Sequence, residues 1–243
     1  MTGAWHMRAS GIHRTRTGKP RGDAGFTFIE MMAVIAIIAV IAAIVIPNLL
    51  SARLSSNETS AIGTLRSLLA AQAAFQKTTA ADGNGNGVGE YGTFAEMSGA
   101  VGVRGGQVLR PPVLSTAFRE VSARGEVARH GYQFALYLPD AAGEGLPELP
   151  GGGPDLAIHA DLAETTWCCY AWPTNHGSSG SRTFYVSHAG DLVFTDAAAY
   201  SGPGASPGSG AALMVGGLLT SMTGRVATSS TGRDGEFWRP VGR

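Results

Sequence analysis

Cysteine, charge and aromatic residues are all scarce in this chain of 243 residues. The two cysteines, Cys168 and Cys169, are adjacent, so no pair can staple distant segments and a disulfide framework is excluded. Three states stay open for them: a strained vicinal disulfide, a bond between chains, or two small buried apolar side chains. Charged residues make up 15% of the chain and the formal net charge is zero, which leaves no electrostatic footprint for nucleic acid. His130, His159, His176 and His188 are scattered, and neither an H-E-x-x-H pair nor a Cys-x-x-Cys pair occurs, so zinc chemistry lacks its ligand spacing. Hydrophobic residues, by contrast, reach 44%, which excludes a wholly disordered chain and provides a core for one domain of ordinary size plus an accessory segment.

The zero net charge hides an uneven distribution. Five of the 18 basic residues (Arg8, Arg14, Arg16, Lys19, Arg21) but only Asp23 among the 18 acidic ones precede Phe26, so a basic start leads into an acidic body. Met31 to Ala52 carries no charge and is dense in Ile, Val, Ala and Leu. It meets the length of about 20 residues that a helix needs to cross a bilayer. Basic residues before it hold the N-terminal side in the cytoplasm and send the chain after Arg53 across the membrane. A cleaved secretory signal fits less well, because the run exceeds an h-region of about 7–15 residues and contains no A-x-A pair. A plain signal anchor leaves Glu30 unexplained, since a carboxylate there costs about 2–3 kcal/mol if carried into hydrocarbon and so requires a partner.

Gly25-Phe26-Thr27-Phe28-Ile29-Glu30, followed by the apolar run and Pro47, resembles the signature of type IV prepilins and type II secretion pseudopilins. The resemblance implies cleavage after Gly25 by a membrane-embedded prepilin peptidase and N-methylation of the new amine on Phe26. It further implies that Glu30, fifth in the mature chain, neutralises the amine of a neighbouring subunit, so that two charges costly in lipid are satisfied only by assembly. Pro47, twenty-second in the mature chain, removes an amide donor, and the helix is expected to kink or partly melt over Ala43 to Pro47. The leader departs from the family pattern in placing Asp23-Ala24 before Gly25 and in its length, and Met7 is an alternative start to Met1.

Beyond the membrane the helix is expected to continue. Leu54, Ala61, Leu65, Leu68 and Phe75 recur at helical spacing, flanked by Ile62 and Leu69, while Arg53, Glu58, Arg66 and Lys77 fall mostly off that face. The stretch Asp82 to Glu90 breaks the helix. Asp82, Asn84 and Asn86 alternate with Gly87 at the sixth position, as in a calcium loop, and Glu90 adds a carboxylate, but the twelfth position is Thr93. A weak calcium site and a glycine-rich turn both remain open there. Tyr132 to Leu138 alternates and stops at Pro139, which reads as a half-buried strand; Thr166 to Trp172 reads as another. Thr183–Ser187 and Asp191–Thr195 flank a turn at Ala189-Gly190 and read as a hairpin. Residues 201–212 form a glycine- and proline-rich flexible loop, the run from Leu213 to Leu219 is too short to span a membrane and is expected to pack on the sheet, and the tail Phe237-Trp238-Arg239-Pro240 either tucks onto the body or frays. Gly204-Ala205-Ser206-Pro207-Gly208 spells G-x-S-x-G, but Pro207 has no N–H to donate to an oxyanion, which removes the hydrolase reading.

These readings combine into an α+β fold: a long N-terminal helix packed on an antiparallel sheet, as in pilins. The organisation expected is a cleaved leader over 1–25, a transmembrane and polymerisation helix over 26–52, its amphipathic continuation over 53–78, and a globular head over 79–243. The resemblance implies a filament subunit and no enzyme, without a required cofactor. Its implied partners are identical or related pilin subunits, the prepilin peptidase, an inner-membrane assembly platform and the membrane, with no specific nucleic acid. The implied location is the bacterial inner membrane, single-pass with a cytoplasmic N-terminus, and after assembly a periplasmic or extracellular filament. The alternative is a membrane-anchored periplasmic binding domain that never polymerises. Between a pilus and a pseudopilus the sequence says little, the lack of a well-spaced C-terminal cysteine pair leaning slightly toward a pseudopilin or a minor or unusual pilin.

Overall fold

A computed structural model describes residues 25–242, so the leader before Gly25 and both candidate starts, Met1 and Met7, lie outside the described residues. The chain divides into two units, residues up to Ile46 and residues from Pro47 onward. Helix α1, Phe28–Lys77, belongs to both and is helical on either side of Pro47. In the first unit its large apolar side chains stand exposed, among them Ile29, Ile35, Ile37, Val40 and Ile44. A run of β-branched residues is a poor helix former in water. In lipid it has no alternative, because every backbone N–H and C=O must be satisfied within the segment.

In the second unit Ala61, Leu65, Leu68 and Phe75 are buried, as their spacing predicts, Ala71 joins them, and Leu54 is only half-buried. One expectation fails on this face: Glu58, read as lying off it, is buried with Arg182 against it. α1 ends at Lys77, where Thr78 N–H and Thr79 N–H bond back to the carbonyls of Phe75 and Gln76 and Thr79 takes a positive φ. Two short helices, α2 (Phe94–Met97) and α3 (Ala160–Ala163), lie in the connections.

Eight strands form one sheet among the described residues: β1 (Glu126–Arg129), β2 (Tyr132–Pro139), β3 (Gly145–Pro147), β4 (Cys168–Pro173), β5 (Thr183–Ser187), β6 (Leu192–Thr195), β7 (Ser230–Thr231) and β8 (Phe237–Pro240). The order is β1-β2-β4-β5-β6-β8-β7, with β3 on the other end of β2, and every pair is antiparallel. Gly190 supplies the positive φ of the β5–β6 turn. This is the α+β, pilin-like arrangement.

The central strands are buried on both faces, not one. Register places Leu136, Cys169 and Val186 side by side, and one residue along it places Ala135, Tyr170, Tyr185 and Val193 side by side. Since neighbours on a strand point to opposite faces, the first row joins the core built on α1. The second joins a core with Ala211, Ala212, Leu213, Met222, Ala227 and Trp238. The segment after β6 therefore covers the face that half-buried strands would have left to water.

Two expectations change accordingly and one open alternative closes. Residues 207 and 209–212 of the supposed exposed loop are buried: small side chains let the backbone approach two tyrosines, whose hydroxyls donate to the carbonyls of Pro207 and Ser209. The apolar run that follows packs only through Leu213, while Met214, Val215, Leu218 and Leu219 are exposed. For the tail, the first of the two alternatives holds: it is β8, with Trp238 wholly buried and its indole N–H on Asp234, while Phe237 stays exposed. Adjacent on β4, Cys168 and Cys169 are both free and buried and lie in different cores, which settles them as buried thiols.

Candidate functional site

The N-terminal motif is built by a helix start. Thr27 immediately precedes α1 and accepts its first bond, from Met31 N–H. Its own N–H and hydroxyl donate to Glu30 Oε2 at 2.8 and 2.7 Å, and Glu30 N–H returns a 3.3 Å bond to Thr27 Oγ1. This is a capping box, in which two amides orphaned by the helix end are satisfied reciprocally. The T-x-x-E spacing is a readable signal for it, yet the reading of Glu30 as an assembly carboxylate overlooked it. Glu30 thus has a partner within its own chain, fixed next to Phe26 and Gly25.

The loop after α1 organises its polar groups inward. Asp82 accepts Asn86 N–H (3.1 Å) and Gly87 N–H (3.0 Å), one on each oxygen, and the amides of Asn84 and Asn86 donate to Asp161 and Glu164. Glu90 is turned away from them to Gly83 N–H and the Arg104 guanidinium. Of the four residues considered for calcium, Asp82, Asn84 and Asn86 stay together while Glu90 serves an ion pair, and no group of three or more His, Cys, Asp or Glu gathers among the described residues.

Arg104 is the centre of a network that sequence inspection did not find. It bonds Glu90 at 3.0 Å, Glu96 at 2.6 Å and the Tyr91 carbonyl at 2.8 Å. Glu96 also closes a capping box with Thr93 at α2. Beside it the buried Glu148 accepts N–H groups of Phe94, Ala95 and Gly153. Burial pushes its carboxyl up to about 7, against the pull of those three donors. On the helix face, Gln72 pairs both ways with the Gly92 backbone, a contact open only to glycine because a Cβ there would strike the Phe75 ring. Glu58 holds Ser181 N–H and the Arg182 guanidinium, and Asn57 holds the Ser179 carbonyl. These groups are spent on folding; none is an exposed nucleophile beside a base.

The residues of the N-terminal start carry the comparison with known proteins. Residues 20–46 match the model of the prokaryotic N-terminal methylation motif, the signal of type IV prepilins and pseudopilins, and the match brackets Gly25, Phe26 and Glu30. Residues 46–199 match the model of a family described as a protein of unknown function, DUF2950. No curated protein and no solved structure matches the chain.

Proposed function

We propose that this chain, which belongs to the DUF2950 family and carries the prepilin methylation motif, is a structural subunit of a type IV pilus or a type II secretion pseudopilus. The observation that carries this reading is the motif at residues 20–46 on a helix whose apolar stretch buries none of its residues within the chain. Such a surface requires lipid or other helices. Prepilin peptidase would cut between Gly25 and Phe26, and the amine of Phe26 would be methylated. The helix up to Ala52 would hold the subunit in the inner membrane with its N-terminus in the cytoplasm, and an assembly platform would add subunits through Glu30 of one chain and the amine of the next. No catalytic role is proposed.

The capping box favours a second reading, a membrane-anchored binding domain that never polymerises, because it gives Glu30 a partner without a neighbour. Two measurements separate them. The N-terminal mass of the protein from native membranes should correspond to a chain beginning at methylated Phe26; a chain that keeps residues before Gly25 would end the prepilin reading. Glu30→Ala should leave membrane insertion intact and abolish filaments, whereas an anchored binding domain would lose only a helix cap, worth about 1 kcal/mol.

A further inference from the structure

We infer that the head carries a binding site for an acidic saccharide, in the hollow between the start of β4, the β5–β6 turn and the segment 213–228. The hollow has a volume of about 300 Å³, the lower end of the range for small-molecule sites and room for one sugar ring. A second hollow of about 290 Å³ shares Asp191 and Thr228 with it and ends at Arg66, so a longer chain of rings has a path along the surface.

The chemistry of the lining is specific. Tyr185 is 3% exposed, and its hydroxyl has no hydrogen-bond partner among the described residues. Tyr185 lines the hollow, and its hydroxyl, without a partner among those residues, is open to a hydrogen bond from water or a ligand there. Its ring packs against Tyr170 and Trp238, so the hydroxyl is held on a rigid support. Asp191, bonded to Ser187 Oγ at 3.3 Å, offers carboxylate oxygens to sugar hydroxyls. Arg225 makes no ion pair among the described residues and supplies a fork for a carboxylate. Acceptor, hydroxyl and guanidinium around one hollow match a hexuronate ring, which presents vicinal hydroxyls and one carboxylate.

The wall that bears Arg225 is preorganised. The Arg233 guanidinium donates to the carbonyls of Met214, Leu218, Ser221 and Thr223. This fixes the loop before any ligand arrives, which lowers the ordering cost of binding.

The test is isothermal titration of the full chain in detergent micelles with galacturonate, galactose and acetate, with saturation-transfer NMR to locate the bound protons. Galacturonate is expected to bind about tenfold more tightly than galactose, the difference due to one charge-assisted contact. Arg225→Gln should erase that preference. Tyr185→Phe keeps the ring on Trp238 and so should preserve the fold, checked by circular dichroism, while weakening both sugars about fivefold. Asp191→Asn should weaken both sugars without touching the preference. Absence of saturation transfer from either sugar overturns the inference. So does binding indifferent to all three variants, or acetate bound as tightly as galacturonate, which would make the hollow a simple anion site.

Discussion

At the scale of single residues, burial governs chemistry more than residue type does. Cys168 and Cys169 sit on successive positions of β4 and enter opposite cores. Burial pushes both thiols well above their ordinary range, and the thiolate is the reactive form. Neither should react with an alkylating reagent in the folded protein, and both should react at once in urea; labelling followed by mass spectrometry checks this. Burial shifts Glu148 in the same direction. Its carboxyl stays protonated in the folded protein to about 7, but releases its proton in the unfolded chain near the ordinary value of 4.5. Between those values the folded state binds the extra proton, so stability is full at the acid end and falls as pH rises through 7. The loss should amount to about 2–3 kcal/mol. Urea denaturation at pH 5 and pH 7.5 reads it, and Glu148→Gln should flatten the difference while lowering stability at both.

At the scale of elements, α1 shows how one helix answers to two solvents. Its first half is dense in apolar residues with Glu30 as its one charge, and it reads as long and apolar enough to span a membrane. The second half was legible as a stripe from Ala61 to Phe75, because a period near 3.6 survives translation into burial. What the stripe could not announce is its polar members, Glu58 and Gln72, since a carboxylate is assigned to the water side unless its partner is known. That partner, Arg182, is 124 residues away. Glu58→Ala should leave the guanidinium short of its acceptor and cost about 1–3 kcal/mol. The lower part of that range is favoured because the Arg182 side chain is 35% exposed. Denaturant midpoints of the variant and of Glu58→Gln measure it, with Gln expected to retain part of the bonding. The capping boxes at Thr27 and Thr93 were within reach of their T-x-x-E spacing; the Arg104 network was not, because its acids come from separate turns.

At the scale of the whole molecule, the second core distinguishes the head from a helix laid on a one-sided sheet. Trp238 sits in it beneath Tyr170 and Tyr185, so Trp238→Ala should cost about 3–5 kcal/mol and shift the denaturation midpoint far more than any change on the surface of α1. The match over residues 46–199 stops before Trp238 and the segment that covers the second face. By itself the sequence determined the long apolar N-terminal helix and its methylation motif, the amphipathic stripe, the hairpin of β5 and β6, and hence the α+β class. Each depends on residues near one another in the chain, whose pattern against lipid or water is fixed by period and composition. Only the tertiary structure decided that the sheet is covered on both faces, that the glycine-rich stretch at 207–212 is interior, that the two cysteines cannot meet, and that Glu58, Glu90 and Glu148 are internal. The physical reason is that alternation along a strand says there are two faces and not what covers each, and the cost of burying a polar group is known only once its distant partner is in place.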